Sequence, residues 1–194
     1  MCEYTVDVEY PQHHINIQVT DEEVTERQAA KQGLTTPERA VLLAYSKMWL
    51  YDALLESSMP EDPLVSDMLV EYFPKPLRQR FSDPMQRHPL RREILATHLT
   101  NALVNRVGCE FVHRLMEETD AKPGDIVRAC IMARGVFDLD DVWRSIDALD
   151  NRVADDVQAR LREQVVALAR SEVEAAHGGV IDARFAVLGY GSLG

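Results

Sequence analysis

The residues whose spacing comes nearest to a known chemistry stand at the end of the chain. Gly189-Tyr190-Gly191-Ser192-Leu193-Gly194 follows the apolar run Phe185-Ala186-Val187-Leu188, which reads as a buried strand. A strand running into a glycine-rich loop is how several phosphate sites begin, with backbone N–H groups turned toward an anion. Gly189, Gly191, Ser192 and Gly194 are therefore the phosphate-loop candidates. No βαβ unit and no acidic ribose partner follow them, as a dinucleotide site requires. The remaining chemistry-bearing side chains are histidines, carboxylates and thiols. His98 and His113 fall on or near an apolar seam, and His13 and His14 are adjacent, so that on a strand they point to opposite faces. The acidic groups Glu117-Glu118, Asp138/Asp140/Asp141 and Asp155-Asp156 sit at predicted helix ends or on polar faces, where acids suit a helix N-terminus. No ligand spacing accompanies them, so no metal residue is assigned. GxSxG, HExxH and GxxxxGK[ST] patterns are absent, and no catalytic residue is assigned.

The elements that would position these groups are helical. Pro89 to Glu118 is the longest amphipathic run: Leu90, Ile94, Leu95, Leu99, Ala102 and Leu103 recur at steps of three and four. Phe111, Val112, Leu115 and Met116 resume the pattern after Gly108, which ends one helix or bends a longer one. This stretch is expected to be the core around which the other helices pack. Ahead of it, Thr20 and Glu23 form a capping box for a short helix that Gly33 stops. Thr36-Pro37-Glu38 opens a helix reaching about Ser57, with Val41, Leu42, Tyr45, Met48, Trp49, Leu54 and Leu55 on its buried side. Asp62-Pro63 opens another that Pro74 ends. A short helix from Leu77 to Phe81 sits in a proline-rich elbow anchored by Leu77, Phe81, Met85 and Leu90. Beyond a turn at Lys122-Pro123-Gly124-Asp125, helices are expected at about 125–135, after a cap at Asp138, and at about 154–176. Asn151 takes the left-handed conformation between the last two, and Val142, Trp143, Ile146 and Leu149 form an inner face.

The fold expected is mainly α: an irregular bundle of seven or eight helices with short β segments at both termini. Three parts are distinguished: an atypical N-terminal segment 1–19, with two short strands around Pro11; a helical domain 20–179; and a strand plus glycine-rich tail 180–194.

Composition narrows the function classes. Hydrophobic residues are 46% and charged residues 27% of the 194, which suits a globular core. A net charge of −11 excludes an overall basic footprint for nucleic acid. Arg78, Arg80, Arg87, Arg91 and Arg92 are the one basic concentration, read as a solvated or interface face. Cys2, Cys109 and Cys130 are widely spaced without CxxC, which suits a reducing compartment. No apolar run is long enough to span a bilayer, and no signal core opens the chain. A cytoplasmic protein without membrane or nucleic-acid partners is expected.

Four blocks carry a family resemblance: GLTTPERAVLLAYSKMWLYDALLESSMPEDP (33–63), YFPKPLRQRF (72–81), HPLRREILATHLTNALVNRVGCEFVHRLMEET (88–119) and ALDNRVADDVQ (148–158). In order and spacing they resemble the C-terminal helical domain of the large bacterial NAD-specific glutamate dehydrogenases. The resemblance implies a cytoplasmic enzyme of glutamate catabolism, a homo-oligomer that oxidises L-glutamate to 2-oxoglutarate and ammonium with NAD as hydride acceptor. In that family the catalytic lysines and aspartate and the NAD-binding fold lie upstream of this helical region, so none is carried over and no cofactor is assigned to this chain. The partner implied is the catalytic domain of the parent enzyme. The tail RFAVLGYGSLG (184–194) has a second resemblance, to the first strand and glycine loop of nucleotidyltransferases of the glutamine-synthetase adenylyltransferase type, in which Gly191 and Ser192 would meet nucleotide phosphates. That family's metal-binding aspartates lie beyond the loop. The chain thus reads as a fragment whose ends do not belong to its middle: a non-catalytic helical piece of the dehydrogenase serving packing and oligomer stability. A truncated nucleotidyltransferase and a stand-alone helical interaction module are the alternatives.

Overall fold

The computed structural model describes residues 9–10, 13–14 and 20–177, and these are mainly α. The tail 180–194, with its phosphate-loop candidates Gly189, Gly191, Ser192 and Gly194, lies outside the described residues, as does Cys2. The chain falls into two compact units, Met1–Ser46 and Lys47–Gly194. In the first, β1 (Glu9–Tyr10) pairs antiparallel with β2 (His13–His14), Glu9 opposite His14 and Tyr10 opposite His13. Helix α1 (Asp21–Ala29) opens on the expected capping box: Thr20 Oγ1 accepts the Glu23 amide at 3.2 Å, and Glu23 Oε2 accepts the Thr20 amide at 3.1 Å. Its end comes before Gly33. Lys31, with φ of 54°, supplies the left-handed residue instead.

Helix α2 (Thr36–Glu56) begins in the first unit and continues into the second. At its start Glu38 accepts two bonds from the Arg27 guanidinium, at 2.7 and 2.8 Å, and one from the Thr35 amide at 2.6 Å. One carboxylate thus holds the last turn of α1 to the first turn of α2. The Arg27 bonds, then the Thr35 amide, pull the Glu38 carboxyl down from its ordinary 4.5 to about 2.

The second unit follows with two 3₁₀ turns, Met59–Glu61 and Pro63–Val65. Then come α3 (Ser66–Tyr72), α4 (Lys75–Gln86), α5 (Arg91–Val107) and α6 (Phe111–Thr119). The last are α7 (Pro123–Val136), α8 (Leu139–Asp147) and α9 (Asp155–His177). Nine α-helices among the described residues exceed the seven or eight expected. Part of the excess is at Gly108, whose φ of 93° ends α5 outright. The elbow helix is also longer than 77–81: α4 runs through Pro84, with a kink at Phe81 (φ −127°, ψ 23°).

The core holds Leu54, Val65, Leu69, Leu95, Ala96 and Ile126 at zero exposure. Each large side chain buried this way stabilises by about 1.5–3 kcal/mol. α5 and α6 supply a large part of this core, through Leu95, Leu99, Phe111 and Leu115 among others. α7 packs against both and also against α8 and α9, so it carries the core on into the last two helices. Lys122-Pro123-Gly124-Asp125 is correspondingly no free turn: Pro123 is the first residue of α7. Gly124 comes so close to the end of α2 that a Cβ there would meet Ser57 Cβ at 3.2 Å and its Oγ at 3.3 Å. Leu139, Trp143, Ile146 and Val165 make a smaller cluster between α8 and α9. Met48, Leu77, Phe81, Leu90 and Val142, expected inside, are exposed instead. Asp138 precedes α8 with φ of 48° and makes no side-chain cap bond. Asn151 is left-handed as expected, at φ 58°.

Asp62 ties the elbow after α2 to α7. The residue is 6% exposed, and its carboxylate accepts the Leu64 amide at 2.9 Å and Arg128 Nε of α7 at 2.7 Å. Asp62→Ala leaves the Leu64 amide and the guanidinium without this acceptor. It is expected to cost about 1–3 kcal/mol in urea unfolding, against less than about 0.5 for Asp67→Ala on the surface of α3. Because the folded pKa of Glu38 lies below its unfolded value, its contribution is complete above pH 4.5 and is lost as pH falls toward 2. Amide exchange over 21–29 should quicken across that window in the native chain, whereas Glu38→Gln should be fast already above it and show no such step.

Candidate functional site

The second unit carries two clefts whose walls join apolar and guanidinium groups. The larger, about 660 Å³, lies where the α5–α6 turn meets α9, over Val104, Phe111, Leu115 and Val166, with Arg114 and Arg170 among its polar lining. The smaller, about 420 Å³, is walled by α5, α7, α8 and α9, with Leu99, Cys130, Trp143 and Val165 at the apolar side and His98 and Asn101 at the polar one.

Their cations are already engaged. Asp147, at the end of α8, accepts Arg106 of α5 and Arg162 of α9, each at 3.2 Å. Arg106 also lies 5.2 Å from the Trp143 ring centroid. The Arg106 bond, with help from Arg162, holds the Asp147 carboxyl below the usual carboxylate range. Arg134 grips Asp140 through two bonds, at 2.7 and 2.8 Å. Arg114 pairs with Glu110 at 3.1 Å, and Arg170 with both Glu118 and Glu174. These bonds fasten helix to helix or turn to turn. Arginine stays protonated and serves here as a fixed cation, not as a base.

The sequence-singled residues separate accordingly. Asp140 and Asp141 stand in the first turn of α8, as helix-end acids, and both hold arginines. Asp155 and Asp156 open α9. Glu118 joins α6 to α9 through Arg170. His98 lines the smaller cleft, whereas His113 stacks on Trp49 with centroids 3.9 Å apart. Among the described residues no three His, Cys, Asp or Glu side chains are grouped to hold a metal. Cys130 is buried, and burial pushes its thiol up to about 12, so it is protonated and inert at neutral pH. Cys109 is only half-buried. Sequence reasoning missed Lys47, whose ammonium donates to Asn101 at 2.9 Å and Asn105 at 2.8 Å and so fixes α2 to α5. The two asparagines stand one helical turn apart, which was the available signal.

Comparison with known proteins places this helical assembly. The family model described as glutamate dehydrogenase, C-terminal, matches residues 31–174. The chain belongs to that family. It is 44% identical over 139 residues to the NAD-specific glutamate dehydrogenase of Halomonas elongata, an alignment covering 72% of this chain and 9% of the relative. The Pseudomonas aeruginosa enzyme of the same name is 40% identical over 151 residues, 78% of this chain and 9% of the relative. That of Mycobacterium tuberculosis is 35% identical over 135 residues, 70% and 8%. The match confirms the resemblance carried by the blocks between 33 and 158. The matched stretch spans less than a tenth of the length of these relatives.

The relatives are NAD-specific, but the described residues offer that dinucleotide a poor fit. Guanidiniums in the clefts that could face a pyrophosphate are held by Asp147, Asp140, Glu110 and Glu118. No helix among the described residues is long and apolar enough to cross a membrane. Alkylation distinguishes the two described thiols. Iodoacetamide should modify Cys109 in the folded chain and reach Cys130 only on unfolding, as peptide mass mapping with and without urea would show.

Proposed function

We propose that the chain acts as a non-catalytic helical domain of an NAD-specific glutamate dehydrogenase, packing against the catalytic part of the parent enzyme and stabilising its oligomer. The parent reaction on this reading is oxidation of L-glutamate to 2-oxoglutarate and ammonium with NAD. The observation that carries it is the engagement of side chains in the region matched by the family, residues 31–174. Asp62, Asp147, Arg134 and Arg170, which could have served chemistry, are each paired with a charged group on a different helix. Such a set supports a rigid scaffold, and rigidity is what a docking domain contributes to an assembly.

The test is complementation. The Pseudomonas aeruginosa relative is prepared without its matched stretch, and this chain is supplied in trans. The chain alone should form no NADH from glutamate and NAD. The shortened relative should lose its native sedimentation coefficient and most of its turnover, and both should return when the chain is added. A shortened relative that assembles and turns over like the intact enzyme would overturn the reading.

A further inference from the structure

The smaller cleft carries a polar group of side chains that the ion-paired scaffold leaves unused. His98, Asn101 and Asn105 stand at steps of three and four on α5, and all three line this cleft. Lys47 of α2 donates to Asn101 Oδ1 at 2.9 Å and to Asn105 Oδ1 at 2.8 Å. An ammonium only donates, so both carboxamide oxygens must face it. Both NH2 groups are thereby turned away from Lys47, and neither has an acceptor among the described residues. His98 has no hydrogen-bond partner among them either.

Charge gives this pair of amides a direction. Lys47 meets no carboxylate among the described residues. The two arginines of the cleft are taken, Arg106 by Asp147 and Arg134 by Asp140. Each carboxamide therefore relays an uncompensated positive charge to the rim, because an ammonium on its oxygen polarises it and strengthens its own N–H as a donor. Such a rim calls for an acceptor, and the two oxygens of a carboxylate match two NH2 donors. The net charge of −11 belongs to the whole chain and is screened over about 8 Å in physiological salt, whereas these donors act at contact.

Behind the rim the cleft is apolar. Leu99, Trp143 and Val165 are 2, 5 and 8% exposed and wall it from α5, α8 and α9. A space of about 420 Å³ is the size of a small-molecule pocket, in which an apolar lining meets a few oriented polar groups. The lining disfavours a ligand charged along its length, and the free donors disfavour one without an acceptor.

We propose that the smaller cleft binds a small organic carboxylate with an apolar body. The carboxylate would take the Asn101 and Asn105 NH2 groups, and the body would lie against Trp143 and Val165. This site stands whether or not the chain docks onto a catalytic part.

The experiment uses the full 194-residue chain with phenylpropanoate as probe. Phenylpropanol, which lacks the charge, and propanoate, which lacks the ring, are the controls. Of the two tryptophans only Trp143 lines the cleft, so fluorescence of a Trp49→Phe chain reports on it, beside calorimetry on the native chain. Phenylpropanoate should bind saturably at millimolar concentration or below and shift Trp143 emission, with each control at least about tenfold weaker. Asn101→Asp/Asn105→Asp keeps the contact with Lys47, now as an ion pair, but replaces both donors with carboxylate oxygens. It should stay folded by circular dichroism and weaken phenylpropanoate at least about tenfold while binding phenylpropanol as before. If the aspartate pair does not fold, Lys47→Met, which removes the charge behind the rim, decides by the same loss. No saturable binding of phenylpropanoate overturns the site. Equal binding of acid and alcohol overturns the carboxylate assignment. Binding that the deciding variant leaves unchanged, or that leaves Trp143 emission unmoved, overturns its placement in this cleft.

Discussion

The second unit depends on one carboxylate being dry. Asp62 sits in the elbow between α2 and α3, capping the Pro63–Val65 turn through the Leu64 amide while it grips Arg128 of α7. A carboxylate buried this far is stable only with its lone pairs occupied, and here both oxygens have partners. The consequence is geometric. Asp62 sets where α7 can lie, and the close approach of Gly124 to Ser57 sets it again on the neighbouring turn. Ser57 cannot give way freely, since its hydroxyl donates to the Leu54 carbonyl at 2.8 Å and accepts the Met59 amide at 3.1 Å. With α7 placed, α5, α6, α8 and α9 have a common surface to pack on.

Magnitudes separate what stabilises from what orients. The large side chains at zero exposure contribute about 1.5–3 kcal/mol each through burial. Pairs such as Arg144–Asp141, with side chains 74% and 58% exposed, contribute little in water. The arginines matter for direction. Arg92 donates to the Leu55 and Ser57 carbonyls, and Arg78 to Glu71 and Phe73, so each closes carbonyls that a helix end leaves open. Two members of the basic concentration read as a solvated or interface face therefore terminate helices. Arg80, Arg87 and Arg91 do not.

Local chemistry was legible wherever it stayed local. The capping box at Thr20 and Glu23, the break at Gly108, the Asp62-Pro63 start and the left-handed Asn151 each depend on a few adjacent residues, and each stands where the sequence indicated. What could not be read is long-range. Asp62 and Arg128 are 66 residues apart, Lys47 and Asn101 54, and no periodicity announces such pairs. For the same reason the bridging place of α7 does not show in the sequence: its apolar pattern is shorter than that of Pro89 to Glu118, whose two helices supply a large part of the core, yet α7 packs against both of them and against α8 and α9.

Apolar spacing overstates burial in an informative way. Periodicity reports which side of a helix is meant for cover, and not what supplies the cover. On α5 the pattern finds it within the chain, at Leu95 and Leu99. On α4 only Met85 does, while Phe81 at the kink and Leu77 before it are exposed. Low propensity or a chance apolar residue would explain one such position. It would not explain Leu77 and Phe81 together, both exposed on α4, with the Arg80 guanidinium 5.4 Å from the Phe81 ring. A surface like this is costly for a free-standing chain, because it invites non-specific association.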